Sequence, residues 1–261
     1  MKYSPFWEEL TAFQISEIAH CEGAVVIVPV AAMEQHGPHL PSGTDTYLAN
    51  AVCRATAQQC REVSTPVVVT PCLWMGRSFH HIDLGGTLSS RLETFTRCIE
   101  DMAASLLEVG FARQVFVNGH GGNVSALDAA VQEIGAKTTA RPMALTYFNL
   151  AKEIVAKTRR SPIGGMGHAC EFETALMQYL HPDLVGEIPA GEPRPVLHSS
   201  LRRDMFVAGE ATLFQKFSEL SATGAVGLPQ HADVQNGKLW FEACAQKLAE
   251  IIIEYSKLPT P

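Results

Sequence analysis

Apolar runs recur along the chain with amphipathic stretches between them. The first, Val25-Val26-Ile27-Val28-Pro29-Val30, holds no polar position, the pattern of a strand buried on both faces of a parallel sheet. A second run covers residues 66–70, a third 115–117, and a fourth strand is expected at 143–147. Helical periodicity fills the intervals. Residues 6–20 place Leu10, Phe13 and Ile18 on one face, and Thr44 can cap a helix running to about residue 60. Ser90-Arg91-Leu92-Glu93 has capping-box form and opens a helix to residue 107, with Gly110 placed as its stop. Asn123 is expected to cap a helix to about residue 135, and a last helix, 238–255, carries Leu239, Ala243, Ile251 and Tyr255 on one stripe. Strands alternating with helices predict an α/β fold, a parallel sheet flanked by helices on both faces. Residues 183–235 lack periodicity and read as an irregular excursion, a lid or a subunit contact, within one domain spanning 1–261.

Composition narrows the partners. Apolar residues make up 46% of the chain, which argues against disorder. A net charge of −7 without any Lys/Arg block argues against a nucleic-acid partner. Seven cysteines without paired spacing point to a reducing compartment, and no apolar run reaches transmembrane length. A cytoplasmic protein with no membrane partner is the expectation.

The chemistry collects where the strands end. After the first run come Glu34-Gln35-His36, then a turn-rich loop that delivers Asp45 to the next helix. In extended backbone Glu34 and His36 project to the same side, so both can address one point. The third run ends in Asn118-Gly119-His120-Gly121-Gly122-Asn123, where glycines let the backbone approach whatever lies beside the imidazole. A glycine-rich loop at 164–167 then opens into His168-Ala169-Cys170-Glu171-Phe172-Glu173 at the start of another helix. Glu34, His36, Asp45, His120 and Glu173 are five hard or borderline donors, a set that suits two divalent ions with Asp45 bridging them. His168 is left for proton transfer. His80 and His81 are candidates for substrate contact, and Gly121 and Gly122 offer backbone N–H groups to a developing oxyanion. Glu171 and Glu173 lie about 200° apart around a helix, so only one of them can face the site.

These blocks resemble the creatininase (creatinine amidohydrolase) family. The likeness rests on Glu34-Gln35-His36-Gly37-x-His39-Leu40-Pro41 with Thr44-Asp45, on Asn118 to Asn123, and on His168-x-x-x-Phe172-Glu173-Thr174. It extends to Gly86-Thr87-Leu88 and to Gly227-x-Pro229-x-x-Ala232 with Gly237, so that it covers nearly the whole chain. The resemblance implies an α/β/α fold, commonly a hexameric homo-oligomer, and hydrolysis of a C–N amide bond by two divalent ions, zinc or manganese with iron(II) as a further option. It implies Glu34, Asp45 and His120 on one ion, His36, Asp45 and Glu173 on the other, His168 in proton transfer and Ser78 at the substrate.

Departures from the family pattern bear on the substrate. Where creatinine hydrolysers of this family have an aromatic residue and a glutamate, this chain has Gly121 and Gly122, and Gly164 stands near where they carry a tryptophan. The Gly-Gly form resembles the branch with formamide-releasing and peptide-trimming members. Space for a bulkier acyl group and a small amide other than creatinine are therefore expected. The alternative from another class is a non-catalytic relative that keeps the metals for assembly or ligand sensing. Retention of all five donors and of His168 argues against it.

Overall fold

The computed structural model describes residues 2–195, 198–201 and 204–259. Seven helices are described, α1 Ala12–Ala19, α2 Thr44–Glu62, α3 Leu92–Val109, α4 Val124–Lys137, α5 Lys152–Thr158, α6 Glu171–Leu180 and α7 Val234–Ser256. The strands are β1 Val25–Val30, β2 Val67–Val69, β3 Arg113–Asn118, β4 Arg141–Thr146, β5 Met166–His168 and β6 Val226–Gly227. Four of them form one parallel sheet in the order β2-β1-β3-β4. A strand in a sheet sends alternate side chains to opposite faces. Val25 and Ile27 of β1 accordingly join the core packed by α2, α6 and α7, whereas Val26, Val28 and Val30 join the core packed by α1, α3 and α4. Helices on both faces explain why β1 and β2 contain no polar position.

The order reverses direction between β1 and β3, and at such a switch point the loops leaving the carboxyl ends of the two strands diverge and open a crevice. Val30, the last residue of β1, pairs with Asn118, the last of β3. Glu34 and His120 therefore leave adjacent strands at the same edge. Strands β5 and β6 form a separate antiparallel pair that carries His168 toward that edge.

Several local expectations are corrected. The first helix is only Ala12–Ala19, and Phe13 is 73% exposed, because Ile15, Ile18 and Ala19 make the buried face. Ser90 does not cap α3. Its hydroxyl donates to the Gly76 carbonyl at 3.0 Å, which ties down the loop before Arg77, and Arg91 is the capping residue. Thr44 donates to the Pro41 carbonyl at 2.7 Å instead of accepting from the helix, and Asn123 likewise spends its side chain elsewhere. The buried stripe of α7 is Trp240, Cys244, Leu248, Ile252 and Tyr255, with Leu239 outside it. Gly110 does end α3, in the left-handed conformation with φ 114°. Within 183–235 the described residues before α7 begins at Val234 form only short 3₁₀ turns and β6, and residues 196, 197, 202 and 203 of that segment lie outside the description. Among the described residues no helix is long and apolar enough to cross a membrane.

Candidate metal centre

The loop after β1 turns Glu34 into the crevice, with the Glu34 amide held by the Ser42 carbonyl at 2.9 Å. Asp45 enters from the first turn of α2, His120 from the end of β3, His168 from the end of β5 and Glu173 from the first turn of α6. All five side chains and His36 are buried. Glu34 Oε1 lies 3.1 Å from His120 Nδ1, and Asp45 Oδ2 lies 3.1 Å from the same nitrogen. Asp45 Oδ1 is 3.2 Å from His36 Nε2, and Glu173 Oε1 is 3.9 Å from it. Two sets of donor atoms, Glu34/Asp45/His120 and His36/Asp45/Glu173, each fall within 4.8 Å of one another and share Asp45.

The three central imidazoles are oriented in one manner. His36 donates through Nδ1 to the Glu34 carbonyl at 3.0 Å, His120 through Nε2 to the Arg77 carbonyl at 3.1 Å, and His168 through Nε2 to the Gln35 carbonyl at 2.7 Å. A carbonyl only accepts, so each ring keeps a proton on that nitrogen and turns the other one inward, where it presents a lone pair whenever the ring is neutral. This is how ligating histidines are held in metal sites. His81 is arranged in the opposite sense. Its Nδ1 receives the Gln35 side-chain amide at 2.7 Å and its Nε2 faces Glu34 Oε1 at 3.4 Å.

Electrostatics report a site short of positive charge. Burial would lower the His36 imidazole, but the carboxylates of Asp45, Glu173 and Glu34 outweigh it and raise it to about 9. His120, also opposed by burial, is raised well above its ordinary value by Glu34 and Asp45. Burial, with the charges of Asp45 and Glu34, raises Glu173 to about 7. Asp45 is held below the usual carboxylate range by His36 and His120 against the effect of burial. His168 is driven the other way, well down, by burial and by the charge of His36. Glu34 Oε2, Asp45 Oδ2 and His36 Nε2 are buried without a hydrogen-bond partner among the described residues. Orphaned oxygen and nitrogen atoms converging on carboxylate-rich space fit divalent cations.

A cleft of about 410 Å³ opens onto these groups, with Asp45, His120, His168 and Glu173 in its floor and His80, His81, Gly121 and Gly122 in its walls. A larger groove of about 1150 Å³ runs beside β4, and among the described residues no metal-capable cluster lines it. Ser78 is buried, with its hydroxyl 3.3 Å from His120 Nε2. Gly122 does not open space. A Cβ there would be driven into the Arg77 carbonyl, His120 Nε2 and His80 Cε1, so the absent side chain is what lets His120 approach its backbone partner. Glu171 faces away, accepting from the Arg160 and Ser161 amides at 2.7 and 2.8 Å.

Sequence reasoning missed Gln35, Arg77 and Phe217. The Phe217 ring lies 3.9, 5.0 and 5.4 Å from the His81, His168 and His80 rings. Nothing near Phe217 in sequence marks it, because the irregular excursion folds it back over the histidines. Gln35 lay in plain view between two donors.

A family model described as creatininase, creatinine amidohydrolase, matches residues 8–252. The mycofactocin precursor peptide peptidase of Mycobacterium tuberculosis is 32% identical over 237 residues, 86% of this chain and 84% of the relative. The creatinine amidohydrolase of Pseudomonas putida is 28% identical over 264 residues, 97% of this chain and 98% of the relative. A variant creatininase structure of the Zn-Zn type superposes with a TM-score of 0.78 at 26% identity, covering 98% of this chain and 100% of that one.

Proposed function

This chain belongs to the creatininase family, and from that premise we propose that it is a two-metal hydrolase of a C–N amide bond in a small molecule other than creatinine. One observation carries the reading. Three imidazoles are each tied by one nitrogen to a main-chain carbonyl while the other faces buried carboxylates that retain orphaned oxygens. Glu34, Asp45 and His120 would hold one ion, and His36, Asp45 and Glu173 the other, with Asp45 shared. When bound, two divalent cations supply Lewis acidity, acidifying a water and polarising an amide carbonyl.

The chain's own groups do the rest. Burial and the charge of His36 keep His168 neutral near pH 7, and its Nε2 proton is committed to the Gln35 carbonyl. Nδ1 is therefore the atom that takes a proton from the attacking water and returns it to the departing nitrogen. The overall change is amide plus water to carboxylate plus amine. Phe217 covers the imidazoles and keeps bulk water from them. Gly121 and Gly122 offer main-chain N–H groups to the oxygen that gains charge.

Creatinine is disfavoured by the packing at Gly122, where the glutamate of creatinine hydrolysers would collide with His120 and Arg77. The zinc- or manganese-loaded chain is to be screened side by side on creatinine, formamides, cyclic amides and short peptides. Turnover of one of the other classes above creatinine is expected. Creatinine as the best substrate would overturn the substrate reading, and no turnover of any amide by the loaded protein would favour a binding role instead.

A further inference from the structure

The cleft contains charge that amide hydrolysis does not require. Arg77 lines it, and the buried Nε of Arg77 has no hydrogen-bond partner among the described residues. No carboxylate among those residues forms an ion pair with it either, whereas Arg54, Arg97, Arg159 and Arg160 each have at least one. Arg194 brings a second guanidinium to the same cleft, its main-chain N–H anchored to the Gly164 carbonyl at 2.8 Å. Both arginines bear on His80, which burial, the charge of His120 and these two guanidiniums lower to about 3.

The acids of the cleft do not pair with Arg77. Asp204 Oδ2 is committed to Arg159 at 2.8 Å and to the Gly164 amide at 2.9 Å, and its Oδ1 accepts from the Phe206 amide at 3.1 Å. Asp45 and Glu173 face the histidines and, on the reading above, the cations. A buried guanidinium nitrogen without an acceptor is costly unless a ligand supplies one. Its planar fork matches a carboxylate in two parallel hydrogen bonds.

We propose that the substrate is an amide carrying a carboxylate on its non-reacting part, held by Arg77 with Arg194 beside it. This rests on the hydrolase reading and narrows it. The class is that of N-acyl amino acids and short peptides with a free carboxyl terminus. Phe79, Phe148, Leu213 and Phe214 in the same cleft supply apolar surface for the side chain that such a substrate carries. Arg77 and Arg194 line the same cleft as His80, His120 and His168, so a carboxylate held by the arginines leaves the rest of the substrate within that histidine-lined space.

The test compares amides that differ only in charge, on the zinc-loaded full chain. N-formyl-leucine and N-formylglycine are paired with their neutral carboxamides. The acids are expected to have the higher kcat/KM by about tenfold to a hundredfold, the range for a hydrogen bond to a charged group. Arg77→Gln is expected to bring the acid-to-amide ratio toward one, and Arg77→Lys to restore much of it. Zinc content checks that Arg77→Gln is folded, because the main-chain bonds of Arg77 to Asn123 and His120 do not use its side chain. A ratio near one in the wild type, or a ratio unmoved by both Arg77→Gln and Arg194→Gln, would overturn the proposal. Should no amide turn over, the hydrolase reading fails by itself and binding decides. Calorimetry with N-acetyl-leucine and its carboxamide then upholds the proposal if the acid binds tighter in an Arg77-dependent way, and overturns it if the two bind alike.

Discussion

Glu171 and Glu173 stand two residues apart in the first turn of α6, and both are buried, yet their surroundings differ in kind. Glu171 accepts from the Arg160 amide, the Ser161 amide and the Ser161 hydroxyl, so both its oxygens are occupied by donors of the chain itself. Glu173 has one main-chain donor, the Cys170 amide at 3.4 Å, and faces His36 with its other oxygen. Asp204 belongs with Glu171, held by an arginine and by main-chain amides. Glu34 and Asp45 belong with Glu173, each keeping a buried oxygen without a hydrogen bond. A carboxylate that clamps a loop is saturated by its own fold, and one that serves a ligand keeps lone pairs in reserve. Burial alone does not tell the two apart. Counting donors does.

The largest effect separates the two kinds directly. Asp45→Ala is expected to empty both metal positions and take turnover to background, because one carboxylate serves both sets of donors. Glu171→Gln is expected to keep the metal and cost about 1.5–3 kcal/mol of stability through lost charge-assisted hydrogen bonds. Elemental analysis and thermal melts of the two variants give the answer, and a metal-depleted Glu171→Gln would erase the distinction. Next comes His168→Ala, expected to retain the metal while kcat falls by on the order of 10²–10⁴, the range for a lost general acid or base. Loss of metal in that variant would make His168 a ligand and not a proton carrier.

Gly122→Ala should act on the same site without touching a donor. Its methyl displaces His120 from the Arg77 carbonyl, and metal affinity is expected to drop about tenfold to a hundredfold, as for loss of an orienting partner. Competition with a zinc-sensitive dye measures this, and unchanged affinity would show that the ring tolerates the shift.

A smaller effect concerns pH. The metal-free folded chain holds a proton on His36 up to about 9, whereas an unfolded histidine releases it near 6.5. Between these values the folded state binds more protons, so stability is present below about pH 6.5 and is lost as pH rises through about 9. The lowered histidines, His39, His80, His81 and His168, oppose this trend near pH 6.5, where their unfolded counterparts still carry part of a proton, and are neutral in both states above about pH 7.5. Stability of the metal-free protein is expected to decline between about pH 7.5 and 9 by on the order of 2 kcal/mol, and added zinc to stabilise it more at pH 9 than at pH 7.5. A flat profile without metal would contradict the protonated state of His36.

Much of this was legible in the sequence, for identifiable reasons. Strands covered on both faces cannot hide polar positions, so β1 and the core of β3 stood out, and the donors cluster where those runs stop. The same-side geometry of Glu34 and His36 follows from local backbone alone. Other features depended on tertiary contacts. Strands β5 and β6 have three and two residues, too few to show a period. Ser90 matched a capping box, but the Gly76 carbonyl won its hydroxyl. Leu239 carries the expected apolar character and still lies off the stripe that meets α6, because Trp240 takes the inward position. Arg77 was visible between Gly76 and Ser78, and only the missing acceptor at its buried Nε gives it meaning.

The neighbouring placement of β1 and β3 has a consequence for how the chain matures. The donors come from positions 34 to 173, and their convergence requires a parallel pairing that skips over β2 and two helices, followed by docking of α6. Closing such long loops is slow compared with forming any one helix. No fragment short of Glu173 contains the full donor set, so on the proposed two-metal reading a chain still emerging from synthesis has nothing with which to retain both ions. On that reading metal capture is a late event that follows assembly of the sheet. In refolding it is expected to trail the recovery of helical signal, and the ions then lock an arrangement that the polypeptide has already completed.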